Sequence, residues 1–320
     1  MRYVIAVLII ILITVIAESA YMFWVSIKRH KSQGNCWTDE YRKSSSLTDE
    51  ENERVRTAME KAKQLEWEQI DIVSRDGLRL HGRLCENSKG RGTIIMVHGY
   101  RSGGLRDFAC AFEPYYSMGF SLFAVDQRAC CDSEGKYLTF GYFERYDIID
   151  WARYISGRYP GRPIVMDGIS MGSATVMMAC GEGYPEEVRC IVADCGYTTP
   201  EAICKLVMKK AFHVPAFPVF YVAKLITRIV AGFDLNGVSS TEGLKKINGT
   251  DMKVLIVHGK KDGFVPYYMS EENMAAFDKE NIGSQVVFMT SENARHGTSY
   301  LADPDKYTEE LTDMFERAQI

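Results

Sequence analysis

The sequence predicts an α/β architecture: a mostly parallel, twisted sheet with helices on both faces, led by an antiparallel hairpin and preceded by one membrane-spanning helix. Three observations carry this reading. Short continuous apolar runs recur at 93–97, 122–125, 164–166, 190–193, 254–257 and 286–289, each separated from the next by enough residues for a helix, which is how strands buried on both faces of a parallel sheet look. Upstream, an alternating segment ends near Ser74, Asp76-Gly77 marks a tight turn, and Leu78, Leu80, Gly82 and Leu84 share one face of a second strand, a hairpin pattern. At the amino end, residues 3–17 are uncharged and nearly all Ile, Leu, Val or Ala, and the apolar character resumes after Glu18 in Tyr21-Met22-Phe23-Trp24-Val25. At ~1.5 Å per residue, that stretch can cross a hydrocarbon layer of about 30 Å.

Composition bounds the function. Of 320 residues, 46% are hydrophobic and 25% charged, which supplies a large core and excludes disordered and collagen-like chains. Lys+Arg of 38 against Asp+Glu of 42 leaves a formal net charge of −4, which removes the electrostatic case for binding nucleic acid over a broad surface. The nine cysteines cannot all pair within the chain, and several, such as Cys190 and Cys195, sit in or beside apolar runs. They read as small buried hydrophobes in a reducing environment, without zinc-ligand spacing. The adjacent Cys130 and Cys131 suit neither a CxxC redox motif nor a mutual disulfide.

Taken in order, residues 1–31 read as a membrane anchor. The competing reading is a cleaved signal peptide, with Arg2 as its basic region and Ala17-Glu18-Ser19 as a cleavage site; Trp24 and its neighbours, resembling an interfacial belt, favour the anchor. Lys28, Arg29 and Lys31 outnumber Arg2 plus the α-amino group, so the positive-inside rule puts the rest of the chain in the cytoplasm. Residues 32–66 comprise a polar linker, 32–46, followed by a helix. Thr48 with Glu51 forms a capping-box pattern, and Val55, Ala58, Met59, Ala62 and Leu65 recur at helical spacing. Residues 67–320 form the main domain. Its longest interval between strands, 197–251, is expected to hold a helical elaboration at about 199–250, whose aromatic run Phe212 to Tyr221 either lines a pocket or packs in the core.

Gly168-Ile169-Ser170-Met171-Gly172 directly follows an expected strand and precedes the helix-forming Ala174-Thr175-Val176-Met177-Met178-Ala179. A bare G-x-S-x-G is common, but strand, sharp turn and helix are the setting of a nucleophile elbow, in which flanking glycines let the chain turn and keep Cβ atoms away from the serine. A serine hydroxyl needs a base. Among the six histidines, His30 is juxtamembrane, His81 lies in the hairpin, His213 lies in the aromatic segment, and His98 and His258 end buried strands; His296 follows the last strand on a polar loop and is the expected base. Asp262, after the strand at 254–257, completes the order Ser, Asp, His, with Asp194 the runner-up. Backbone N–H groups of Met171 and Tyr100 are the expected oxyanion donors, Tyr100 lying in the loop after the first parallel strand.

With these residues placed, the chain resembles the α/β-hydrolase superfamily from about Trp67 to Ile320, and most of all bacterial membrane-anchored serine hydrolases with Gly-Ile-Ser-Met-Gly elbows. The resemblance rests on Val97-His98-Gly99-Tyr100, Asp126-Gln127-Arg128, the elbow, Ala231-Gly232-Phe233-Asp234-Leu235, and His258-Gly259-Lys260-Lys261-Asp262 with Val265-Pro266. It implies a Ser170–His296–Asp262 triad and ester- or amide-cleaving activity without metal or organic cofactor. One departure stands out: relatives usually continue Asp-x-Arg with glycines, whereas here Ala129-Cys130-Cys131-Asp132 follows. The expected activity is hydrolysis of carboxylic esters, with a small-molecule acyl ester as substrate, for which the membrane anchor leaves lipid-derived and membrane-proximal esters both open. The alternatives are an acyl thioesterase, a serine peptidase of prolyl-oligopeptidase-like type, and an inactive membrane-tethered binding module.

Overall fold

The computed structural model describes residues 1–29, 37, 41, 43–212 and 217–320. Most of the expected linker falls outside them, as do Lys31, His30 and His213.

Eight strands form one sheet: β1 (Glu68–Val73), β2 (Arg79–Cys85), β3 (Gly92–Val97), β4 (Phe120–Val125), β5 (Ile164–Ile169), β6 (Val188–Asp194), β7 (Lys253–Gly259) and β8 (Val286–Ser291), in the order β1-β2-β4-β3-β5-β6-β7-β8. β1 pairs antiparallel with β2, and β2 antiparallel with β4; every later pairing is parallel. The fold expected from the sequence is therefore the fold observed, and each apolar run lies within a strand. The helices in chain order are α1 (Arg2–Ser26), α2 (Asp49–Lys63), α3 (Gly104–Asp107), α4 (Ala109–Ser117), α5 (Glu144–Arg158), α6 (Met171–Ala179), α7 (Pro200–Val207), α8 (Val219–Ile226), α9 (Ser240–Lys245), α10 (Tyr268–Met274), α11 (Ser299–Ala302) and α12 (Pro304–Arg317).

Side chains alternate across the sheet as the strand period requires. Ile95, Val97 and Met166 pack with Trp151, Ile155 and Val176 on one face. Ile94, Met96 and Val165 pack with Phe112, Leu311 and Phe315 on the other. The capping box forms as expected: Thr48 Oγ1 accepts from Glu51 N at 3.2 Å, and Glu51 returns a bond to Thr48 N at 2.7 Å.

A third apolar cluster lies over the carboxyl ends of the strands and draws on three separate segments. They are the end of α1 (Met22, Phe23, Ile27), the 129–140 loop (Ala129, Cys130, Leu138) and the helices between β6 and β7 (Ile203, Phe220), packed on α6 (Met171, Ala174, Met178) and on Val265 and Met269. The first sixteen residues of α1 are almost wholly exposed, whereas Met22 and Phe23 are buried. Half of the expected interfacial belt is thus used by the domain, leaving Tyr21 and Trp24 outward. Cys85, Cys130, Cys180, Cys190 and Cys195 are buried free thiols, as expected. Cys131 is not: it is disulfide-bonded, and such pairings cannot be deduced from spacing alone.

The loop after β4 is fixed by Arg128, whose guanidinium is nearly buried and doubly paired. It donates to Asp147 on α5 at 2.6 and 2.7 Å and to Asp76 in the hairpin turn at 2.9 and 3.1 Å. Burial pushes the Asp147 carboxyl up to about 7 despite this partner, so removing the partner leaves a buried acid uncompensated. Arg128→Leu is expected to lower the unfolding free energy by about 3–5 kcal/mol in urea titrations, and Arg128→Leu/Asp147→Leu to recover much of it.

Candidate active site

The elbow is shaped by how closely α6 passes the sheet. A Cβ on Gly172 would sit 1.8 Å from the Val97 carbonyl oxygen, and one on Gly168 would sit 2.5 Å from Gly172 itself. The two glycines are required for strand–helix contact more than for clearance around the serine, which refines the expectation. Between them Ser170 takes φ 56° and ψ −115°, a left-handed backbone uncommon for a side-chain-bearing residue. Its N–H is held by the Asp194 carbonyl at 2.9 Å.

Two loops on neighbouring strands bring the other members in. Gly259 at the end of β7 packs against Ala294 so tightly that a Cβ would lie 2.2 Å from the Ala294 oxygen, and Lys261 N donates to that oxygen at 3.1 Å. Asp262 and His296 are thereby held side by side. Ser170 Oγ lies 2.8 Å from His296 Nε2, and His296 Nδ1 lies 2.7 Å from Asp262 Oδ2. The hydroxyl donates to Nε2 and Nδ1–H donates to the carboxylate, one consistent tautomer.

Asp262 is held ionised. Burial pushes its carboxyl up, but hydrogen bonds and charge from His258 and His296 outweigh that and bring it to about 2. Phe264 N and Val265 N also donate to its Oδ1, at 2.8 and 2.9 Å. Asp194, the alternative acid, is engaged elsewhere: its Oδ1 accepts the Ser299 hydroxyl at 2.9 Å, and burial drives its carboxyl up to about 6.

The loop after β3 is equally fixed. Gly99 N donates to Asp107 Oδ2 at 2.7 Å, and Ser102 Oγ donates to Asp107 Oδ1 at 2.5 Å. Gly99 approaches Ser170 so closely that a Cβ there would be 3.4 Å from the serine Cβ. The Tyr100 N–H has no acceptor among the described residues, and Met171 N, at the first position of α6, has none within its helix. The Tyr100 ring stacks on Phe140 at 5.4 Å, and its hydroxyl donates to the Ser26 carbonyl at 2.7 Å.

Two cavities meet at Ser170, with Tyr100 and Phe264 lining both. One, about 310 Å³, is on the His296 side and includes Ser44, Arg106 and Tyr300. The other, about 100 Å³, is strongly apolar and runs between α1 and α8 past Met171, Tyr197 and Phe220. Of the aromatic run, Phe220 both lines this cavity and is buried, while Phe217 and Tyr221 do neither and stand exposed.

Sequence reasoning passed over three contributors. His258 was assigned only to a strand end, yet its Nε2 is 3.3 Å from Asp262 while its Nδ1 accepts the Ser270 hydroxyl at 2.6 Å. Its spacing of four residues from Asp262 was the available signal. Asp107 had none, since it acts on the Gly99 backbone. The end of α1 was read as a membrane segment alone.

Comparison with known proteins agrees with this fold. A family model described as alpha/beta hydrolase fold matches residues 92–213. The uncharacterized protein YqkD of Bacillus subtilis is 21% identical over 267 residues, covering 83% of this chain and 85% of that protein. Among solved structures, the Pyrococcus furiosus esterase Pf2001 superposes with a TM-score of 0.63 at 20% identity over 80% of this chain and 93% of its own. The acylaminoacyl peptidase of Pyrococcus horikoshii superposes at 0.55 with 16% identity, covering 80% of this chain and 43% of its own. The fold is the α/β-hydrolase fold, and because it is shared by an esterase and a peptidase it does not choose between them.

The depressed Asp262 pKa has a sign that can be checked. An acid whose folded value, about 2, lies below its unfolded value of 3.8 contributes stability above the unfolded value and loses it as pH falls through the folded one. The unfolding free energy of the wild type relative to Asp262→Asn is therefore expected to drop by about 2 kcal/mol between pH 6 and pH 2, measured by urea titration at each pH.

Proposed function

We propose that this α/β-hydrolase-fold chain is a serine hydrolase that cleaves carboxylic esters through an acyl-Ser170 intermediate. The observation that carries the reading is the unbroken relay from Asp262 through His296 to Ser170, at 2.7 and 2.8 Å, on a strained elbow.

Ser170 Oγ attacks the ester carbonyl carbon as its proton passes to His296 Nε2, and Asp262 stabilises the imidazolium that forms. The negative charge on the carbonyl oxygen is taken by the backbone N–H groups of Tyr100 and Met171; one such donor is worth roughly 3–4 kcal/mol in the transition state. The carbon–oxygen bond to the leaving group breaks as His296 returns its proton to that oxygen, leaving the acyl group on Ser170. A water molecule then attacks the acyl carbon, giving a proton to His296. The bond to Oγ breaks, the acid departs, and the proton goes back to Ser170. The leaving group belongs in the wider cavity on the His296 side, since that ring must reach its oxygen. The acyl chain belongs in the apolar cavity beyond Met171. A thioester fits the same steps with sulfur as the leaving atom.

The domain reading that goes with this function has residues 1–31 as a retained single-pass anchor, 32–66 as linker and helix, and 67–320 as the catalytic domain, elaborated at 199–250. Retention is supported by the bond from Ser19 Oγ to the Val219 carbonyl at 3.0 Å, which cleavage after Ser19 would remove. Lys28, Arg29 and Lys31 at its domain end, against Arg2 and the α-amino group at the other, favour the cytoplasmic face.

The full-length protein is expected to label with a fluorophosphonate and to hydrolyse p-nitrophenyl esters, with Ser170→Ala losing labelling and at least 10⁴-fold of kcat. Faster cleavage of aminoacyl amides than of esters would overturn the esterase assignment. A folded wild type that neither labels nor turns over would overturn the enzyme.

A further inference from the structure

The end of the amino-terminal helix is a structural part of the cavity beside Ser170. Ser19 Oγ reaches across to the Val219 carbonyl on α8 at 3.0 Å. Arg101 donates to the Val25 and Lys28 carbonyls at 2.5 and 3.0 Å, and Leu138 N donates to the Ile27 carbonyl at 2.8 Å. Met22, Phe23 and Ile27 form one wall of the apolar cavity; Phe220, Ala223 and Thr227 on and after α8 form the facing wall.

The opposite side of α8 has no cover among the described residues. Phe217 is 75% exposed, Tyr221 51%, Leu225 56% and Ile229 73%. Tyr221 and Leu225 lie one turn apart on α8, with Phe217 just before the helix and Ile229 in the π-helical turn that continues it. A row of large apolar side chains facing outward on a helix marks a surface that meets something apolar. What it meets follows from the neighbour α8 packs against. Counting about 20 helical residues for the hydrocarbon layer from Tyr3 brings its far boundary to about Met22, the level at which α1 leaves its exposed stretch and enters the domain. The α8 stripe begins where Ser19 touches Val219, so it lies at that boundary. An amphipathic helix there rests with its apolar side among the acyl chains and its charged side upward. On α8 the charged Lys224 turns away from the stripe, to Glu201 at 2.6 Å and Asp234 at 3.3 Å.

We propose that the protein draws its substrate laterally from the bilayer: a long-chain acyl lipid ester whose chain passes between α1 and α8 to Ser170, while the outward stripe of α8 rests in the same lipid leaflet. This rests on the serine-esterase reading and adds to it the source and class of the substrate. The anchor is then half of the acyl-binding wall, and its removal opens the site.

The test uses the full-length chain reconstituted in phosphatidylethanolamine/phosphatidylglycerol vesicles, with p-nitrophenyl palmitate incorporated in the bilayer and p-nitrophenyl acetate in solution. Wild type, Ala223→Trp, which fills the space between α1 and α8, and Leu225→Glu/Ile229→Glu, which charges the stripe, are compared after fluorophosphonate labelling has confirmed each as folded. The palmitate-to-acetate rate ratio is expected to fall at least tenfold in both variants. In Leu225→Glu/Ile229→Glu, but not in Ala223→Trp, the ratio is expected to recover when palmitate is supplied in detergent micelles. Ratios unchanged in both variants, with acetate turnover intact, would overturn bilayer entry and leave the esterase standing; absence of acetate turnover and labelling in the wild type would remove both. A mature chain from cells whose mass lacks residues 1–19 would also overturn the proposal.

Discussion

The site depends on a strand and a helix coming too close for side chains. Val97, at the end of β3, and Gly172, on the first turn of α6, leave no volume for a Cβ, and the residue between β5 and that turn must reverse direction within one position. Ser170 absorbs the reversal in a left-handed backbone that costs a side-chain-bearing residue of order 1–2 kcal/mol. The sheet and α6 are buried and close-packed on both sides, so relaxation of Ser170 would have to displace the helix. The strain is therefore retained, and it holds the hydroxyl beside the loop that carries His296.

Three buried acids lie near that hydroxyl, and their surroundings separate them. Asp262 accepts from two histidines and two backbone amides, which together outweigh burial. Asp194 receives the hydroxyl of Ser299, and Asp167 that of Tyr115 at 2.6 Å; burial dominates at both, raising them to about 6 and about 7. Asp262 has more donors and is less deeply buried than the other two. An acid that stays charged is the one able to stabilise an imidazolium, which is why the strand after β6 and not β6 itself supplies the partner of His296. His258 contributes here without touching Ser170, by completing the donor set of Asp262.

Chain order and periodicity made much of this legible. The parallel strands showed as apolar runs because both their faces are covered, and Ser170, Asp262 and His296 each lie on the turn or loop that follows such a strand. What the sequence concealed has a common physical character: it joins segments far apart in the chain through backbone atoms or apolar contact. Asp107 acts on the Gly99 amide, Tyr100 bonds a carbonyl at the end of α1, and the apolar cavity is assembled from residues near 22, 100, 203 and 220. None of these contacts imposes a residue pattern. The end of α1 is the clearest case, because Met22 and Phe23 satisfy a lipid environment and a protein cavity equally well.

The loop after Arg128 shows how the two ends of this arrangement are coupled. Ala129 and Cys131 adopt φ of 59° and 44°, a backbone that costs each on the order of 1 kcal/mol more than it would cost glycine. Side chains there are tolerable only if they gain something a hydrogen cannot, and Cys131 gains a disulfide. Both are buried in the cluster that contains Met22, Phe23 and Ile27, and Arg29 donates to the Cys131 carbonyl at 2.7 Å. The same loop bonds Ile27 and Arg29 through Leu138 and Lys136. The loop after Arg128 and the end of α1 are thus joined by backbone bonds and a shared apolar cluster, and the loop seats the helix that walls the cavity.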